Sequence, residues 1–175
     1  MTPDISERAK KVKLLILDID GVMTDGRLVY SIYGDELKFF DVTDGFGITL
    51  LRRAGIKTAI ISAKRSRIVK MRVKHLKIDY IYQGFHDKLT ALNKVLRKTR
   101  LTVDNVCFIG DDLIDLPVLK RAGFAVAVPN AVDEVKERAH HVTSKTGGRG
   151  AVREICELIL KSQGKWDAVT SKYFV

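Results

Sequence analysis

Two cysteines, three prolines and a 7% aromatic share are all that this chain of 175 residues offers of those residue types. Cys107 and Cys156 both stand in apolar runs, with no CxxC or Cys/His spacing. A disulfide framework and a zinc site are thereby excluded, and two buried thiols in a reducing cytoplasm are the simplest reading. Long apolar runs are missing as well. The segment up to Lys13 is polar and charged, and the run after it, Leu14–Leu17, is far short of the ~18 apolar residues of a membrane span. A secretory signal does not fit that pattern either. Linkers, repeats and low-complexity tracts are absent, so residues 1–175 read as one domain, long enough to bury a core unaided.

What the chain has in excess is positive charge. The net charge is +10, from 31 Lys and Arg against 21 Asp and Glu. All of that excess lies between Lys64 and Arg100, where twelve basic residues face only Asp79 and Asp87. Such a block is either a solvated helix surface or an attractor of anions. Aromatic residues do not interleave the basic ones from Lys64 to Asp79, so a single-strand nucleic-acid platform is disfavoured.

Short β-rich runs alternate with helical periodicity, which predicts a doubly wound α/β domain with a mostly parallel sheet. Strands are expected at Val12–Leu17, Lys57–Ile61, Tyr80–Tyr82, Val106–Ile109 and Phe124–Val128. Helices are expected at Asp44–Ala54, after Ser62 as a possible cap, at Asp87–Lys98, up to Ala122, at Ala131–Arg138 and at Ala151–Leu160. Leu28–Tyr33 and Glu36–Phe40 flank Gly34-Asp35 as a hairpin. The tail from Gly164 to Val175 shows no period, and a disordered end is one reading of it.

In such sheets ligands bind at the carboxyl ends of the strands. Three predicted strand ends carry useful groups there: Asp18 and Asp20, then Ser62, then Asp111 and Asp112. Lys88 opens a helix on the same side. Converging carboxylates repel unless a cation lies among them, and an all-oxygen set favours Mg²⁺. Metal and lysine together can neutralise a phosphate dianion, so that one Asp attacks phosphorus and another moves the proton. Taken singly, each piece has a plain structural reading. Asp18 and Asp20 can be turn formers, Ser62 a helix cap, Lys88 a solvated side chain, and Asp111, Asp112 and Asp115 an acidic helix start. Gly147-Gly-Arg-Gly150 is by default a flexible turn. The order of the pieces along the chain carries the argument.

Asp18-Ile-Asp-Gly-Val-Met-Thr-Asp25, Ser62, Lys88 and Gly110-Asp-Asp-Leu-Ile-Asp115 together resemble the four motifs of the haloacid dehalogenase phosphatase superfamily. Asp25-Gly26, Asp44-Gly-Phe-Gly47, Gly110-Asp-Asp-Leu-Ile-Asp-Leu-Pro117, Pro129-Asn-Ala131 and Gly147-Gly-Arg-Gly-Ala-Val-Arg-Glu154 narrow the resemblance to its 3-deoxy-D-manno-octulosonate 8-phosphate (Kdo 8-phosphate) phosphatases. The resemblance implies Asp18 as nucleophile and Asp20 as general acid/base. It implies Mg²⁺ on Asp18, the Asp20 carbonyl and Asp111, and Ser62 and Lys88 on the transferring phosphoryl group. Asp41, Thr43, Asp44, Gly45, Lys64 and Arg72 would line the substrate pocket with Asp20. Asp112 and Asp115 would orient Lys88 or the metal ligands.

The same resemblance implies a cytoplasmic homotetramer serving lipopolysaccharide precursor synthesis, with no nucleic-acid or membrane partner. The hairpin at 28–40 would stand in place of a cap domain, with Val29, Ile32, Leu37 and Phe39 packing between subunits. The tail at 164–175 would help cover a neighbour's site. Two departures touch sugar recognition: Ser62-Ala-Lys-Arg65 where many relatives follow the hydroxyl residue with Gly-Arg, and Thr49 where an arginine often stands. The other readings are a phosphatase for another sugar acid phosphate, such as a sialic-type 9-phosphate, and a non-catalytic oligomerising relative.

Overall fold

The structure, a computed structural model, describes residues 3–32 and 36–175. Its centre is a six-stranded sheet in which every neighbouring pair runs parallel. After helix α1 (Pro3–Lys10), strand β1 (Leu14–Leu17) leads into a small antiparallel pair, β2 (Val29–Tyr30) and β3 (Glu36–Leu37), and helix α2 (Val42–Arg53). Then follow β4 (Lys57–Ser62), α3 (Arg67–Leu76), β5 (Tyr80–Gln83) and α4 (Lys88–Thr99). The chain crosses to β6 (Val106–Gly110) and continues through α5 (Leu116–Leu119), β7 (Phe124–Ala127), α6 (Asp133–Lys136) and β8 (His141–Val142). Helices α7 (Ala151–Ser162) and α8 (Trp166–Thr170) close it.

The strand order β5-β4-β1-β6-β7-β8 places β1 where the winding reverses. Every residue of β1, β6 and β7 is buried. Successive side chains of a strand point to opposite faces, so these strands are covered on both sides. Helix α7 packs between α1 and α2, while α4 lies against β4 and α5. Phe108 and Phe124 are fully buried between these layers, each contributing about 1.5–3 kcal/mol by leaving water. Register then aligns the strand ends. Leu17 lies beside Ile60 on one side and Ile109 on the other, so Asp18, Ser62 and Asp111 emerge together.

Element order follows the sequence expectation, with shifts at the edges. Strand β1 starts at Leu14 rather than Val12, and α6 is one turn instead of the expected eight residues. Ser66, not Ser62, caps α3, its hydroxyl accepting the Val69 amide at 3.4 Å. Helix α1 and strand β8 were not foreseen. The first is held by buried Ala9 and by Arg8, which donates to the Gly123 carbonyl at 2.8 Å. The second is two residues long, too short to show a period. Among the described residues only 29–30 and 36–37 pair within the hairpin, and residues 33–35, with the expected Gly34-Asp35 turn, lie outside them.

A disordered end is not what the tail forms. Helix α8 packs Trp166 and Val169 on the core, and the Tyr173 ring meets Phe46 edge-on at 5.5 Å. The hydroxyl of Tyr173 accepts a hydrogen bond from Arg53 at 2.5 Å, so the tail is tied to α2 of its own chain.

Candidate active site

The amide of Asp18 continues the sheet pairing, donating to the Ile109 carbonyl at 3.1 Å. The chain then turns on the carbonyl of Ile19, which accepts from the amides of Val22, Met23 and Thr24 and from the Thr24 hydroxyl. Ile19, Val22 and Met23 are buried and fix this loop from below. Gly21 adopts φ +91°, and a Cβ there would lie 2.0 Å from the Asp111 carboxylate. Only glycine satisfies both the left-handed backbone and that close approach.

Asp87 caps α4 by accepting the Leu89 amide at 3.1 Å, which makes Lys88 the first residue of the helix. Lys88 is not solvated: only 2% of it is exposed. A buried ammonium at the positive end of a helix opposes both desolvation and the helix dipole. Two carboxylates offset this. Lys88 Nζ lies 2.9 Å from Asp18 Oδ1 and 2.5 Å from Asp115 Oδ1. Burial alone would lower the lysine pKa, but the charges of Asp18 and Asp115 outweigh it and raise the value.

Asp115 is fully buried, and its second oxygen accepts the amides of Asp111 and Asp112 at 3.0 and 3.2 Å. With donors on both oxygens it works as a brace for Lys88 and the β6 loop. Asp111 is the opposite case: its buried Oδ1 has no hydrogen-bond partner. Burial, with the charges of Asp18 and Asp115 nearby, pushes its pKa up to about 8. Burial also raises Asp18 to about 6, against the pull of Lys88.

Asp18, Asp111 and Asp115 each offer an oxygen within 4.8 Å of the others. An orphaned buried oxygen in an all-carboxylate cluster fits a hard divalent cation such as Mg²⁺. Because Asp115 is already satisfied, Asp18 and Asp111 are the side chains available to it. These groups open on a cleft of about 190 Å³, lined by Asp18, Asp20, Ser62, Lys64, Lys88, Asp111 and Asp112.

Other expected substrate residues do not line this cleft. Asp41 caps α2, accepting the Thr43 amide and hydroxyl, both at 2.6 Å, and the Asp44 amide at 3.4 Å. Arg72 donates to the Asp41 carbonyl at 3.1 Å and stacks its guanidinium over Phe40. Gly45 makes room for it, since a Cβ there would lie 2.7 Å from Arg72 Nη2. Asp44 faces away, 1% exposed, and accepts the amides of Arg153 at 2.7 Å and Gly150 at 3.4 Å. It joins α2 to the start of α7. Asp44→Ala is therefore expected to lower stability by about 1–3 kcal/mol through unsatisfied buried amides, read by denaturant unfolding. A midpoint equal to wild type would refute that role.

The Gly147–Gly150 segment is not a free turn. Asn130 donates to the Gly21 carbonyl and accepts the Gly147 amide, both at 2.8 Å. A Cβ on Gly147 would meet the Gly21 carbonyl oxygen at 1.8 Å. The glycines thus let this segment lie directly on the loop that carries Asp18. Lys38, from the end of the hairpin, was missed altogether: its side chain is 1% exposed and forms an ion pair with Asp20. The available signal was alternation, because Leu37 and Phe39 point outward and leave residue 38 facing in.

A haloacid dehalogenase-like hydrolase family model matches residues 48–155. The 3-deoxy-D-manno-octulosonate 8-phosphate phosphatase KdsC of Escherichia coli K12 is 43% identical over 167 residues, covering 95% of this chain and 89% of that protein. A crystal structure of a probable YrbI family phosphatase from Pseudomonas syringae superposes with TM-score 0.97 at 46% identity, covering 99% of both chains. The Moraxella catarrhalis Kdo 8-phosphate phosphatase, solved with magnesium, phosphate and Kdo, gives 0.96 at 42% identity, with the same coverage.

Proposed function

The chain belongs to the haloacid dehalogenase-like hydrolases, and from that membership we propose that it is a Mg²⁺-dependent phosphatase of Kdo 8-phosphate, releasing Kdo and phosphate. The observation that carries the chemistry is the meeting of Asp18, Asp20, Ser62, Lys88 and Asp111 around one small cleft. The sugar assignment rests on the named relatives at 42–43% identity.

Asp18, Asp111 and the backbone carbonyl of Asp20 would hold the cation. When bound, it supplies charge neutralisation at the phosphoryl oxygens. Lys88, fixed by Asp115, and the Ser62 hydroxyl hold the remaining phosphoryl oxygens. A carboxylate oxygen of Asp18 attacks phosphorus and the ester P–O bond breaks, leaving an aspartyl phosphate. Asp20 gives its proton to the departing sugar oxygen. It then takes a proton from the water that hydrolyses the aspartyl phosphate, which returns Asp18 and releases phosphate.

A cleft of about 190 Å³ accommodates a phosphoryl group but not an eight-carbon sugar, since small-molecule pockets run to about 300–1,000 Å³. Further walls are needed. Ile32 and Phe39 are 94% and 66% exposed on the hairpin, and Val29 and Leu37 also face outward. Such a ribbon favours assembly through this face, and a homotetramer would bring a neighbour beside the cleft. Among the described residues no helix is long and apolar enough to cross a membrane, and both cysteines are unpaired and buried, which supports a cytoplasmic enzyme. Of the basic block, Lys64 and Lys88 line the cleft and supply positive charge that would attract a sugar acid phosphate.

Phosphate release from a panel of sugar phosphates, with Mg²⁺ and with EDTA, tests the reading. Metal-dependent turnover with preference for Kdo 8-phosphate is expected. Metal-dependent turnover of a sialic-type 9-phosphate instead would keep the mechanism and move the substrate, in line with the Ala63-Lys64 departure. Absence of any turnover by folded protein would overturn both.

A further inference from the structure

Lys38 reaches the catalytic cleft from the element least involved in the core. It follows β3, and its neighbours Leu37 and Phe39 are largely exposed, yet its own side chain is 1% exposed. Its ammonium pairs with Oδ1 of Asp20, whose side chain remains 24% exposed at the cleft. Burying an ammonium is unfavourable unless a well-placed anion meets it. The fold bears that cost at Asp20, a cleft carboxylate that Lys88 does not pair with.

The geometry points to Lys38 as the positioning residue of the general acid. This inference rests on the phosphatase reading, with Asp20 as proton donor. An oxygen that accepts from an ammonium is not the one that carries the acid proton. With Oδ1 held by Lys38, Oδ2 of Asp20 is the oxygen that passes its proton to the ester oxygen as the P–O bond breaks. The tether also fixes the rotation of the carboxyl group, and general-acid efficiency depends on hydrogen-bond reach of about 2.6–3.2 Å to the leaving oxygen. Lys88 on Asp18 and Lys38 on Asp20 thus divide the work: one steadies the nucleophile, the other aims the proton.

A role through Asp20 has a signature that a purely structural contact lacks. Protonation matters most when the leaving group is basic and least when it departs readily as an anion. The experiment measures kcat/KM, which reports the first irreversible step, for substituted phenyl phosphates spanning dinitrophenyl to unsubstituted phenyl leaving groups. The full-length enzyme with Mg²⁺ is compared with K38M and K38R. For K38M the loss is expected to grow from less than about twofold for dinitrophenyl to about tenfold or more for phenyl phosphate. K38R, which keeps a cation, should restore the wild-type slope. None of these esters carries a sugar, so a lost sugar contact cannot imitate the result. Equal losses across the series, or no loss for K38M, would overturn the inference. A K38R series parallel to that of K38M would overturn it too. A wild-type enzyme that hydrolyses no ester would overturn the phosphatase reading itself, and the inference with it.

Discussion

Asp18→Asn is expected to reduce kcat by at least about 10³-fold while leaving the fold intact. The amide cannot attack phosphorus, and the neighbouring carboxylates are engaged elsewhere: Asp111 would hold the cation, and Asp112 accepts the Leu113 amide at 2.7 Å. Asp115 has donors on both oxygens, and Asp20 is tethered by Lys38. Stability survives because Lys88 keeps Asp115 at 2.5 Å when Asp18 loses its charge. Asp18 is also a carboxylate that burial disfavours, its pKa being raised to about 6, so neutralising it removes an unfavourable buried charge at neutral pH. A thermal midpoint within a few degrees of wild type should accompany the loss of phosphate release. Activity near wild type would remove Asp18 as the nucleophile.

Mg²⁺ affinity is expected to rise steeply with pH between about 6 and 8. Burial and neighbouring carboxylates hold Asp111 near 8 and Asp18 near 6 in the metal-free protein. Within that window Asp111 retains a proton that the cation must displace. The apparent Kd should therefore fall about tenfold per pH unit and level off above pH 8. Calorimetry in buffers of different ionisation enthalpy reads the released proton directly, and a Kd independent of pH from 6 to 8 would contradict the arrangement.

Stability follows the same linkage. Both carboxyls titrate higher in the fold than the 3.8 of a free side chain. Their favourable contribution is thus fully present below pH 4 and is lost as pH rises through about 6 and then about 8. Metal-free protein should lose thermal stability over that range. Mg²⁺ should restore it, because the cation binds the ionised cluster of the folded state alone.

The strands, the helices and the set Asp18, Asp20, Ser62, Lys88 and Asp111 were legible because each depends on local pattern. A buried parallel strand is a short apolar run, and the residue that ends it is a fixed step away in sequence. Edges were less legible for the same reason: β8 and α6 are shorter than any period, and Ser62 and Ser66 are equally good caps until the backbone chooses one. The sequence by itself determined five of the sheet's six strands, the order of the groups that line the cleft and the excess of positive charge over residues 64–100.

Tertiary structure decided which polar groups share a cavity. Asp44 and Asp41 carry the same side chain three residues apart. A helix advances by about 100° per residue, so the helix start turns Asp44 towards α7 and leaves Asp41 at the cap. Asp111 and Asp115 are likewise four residues apart, yet one is saturated with donors and the other keeps an orphaned oxygen for a cation. Lys38 looked like one of 31 basic residues until the hairpin folded it onto Asp20. Such assignments depend on distances between segments far apart in the chain, and those distances exist only once the core has packed.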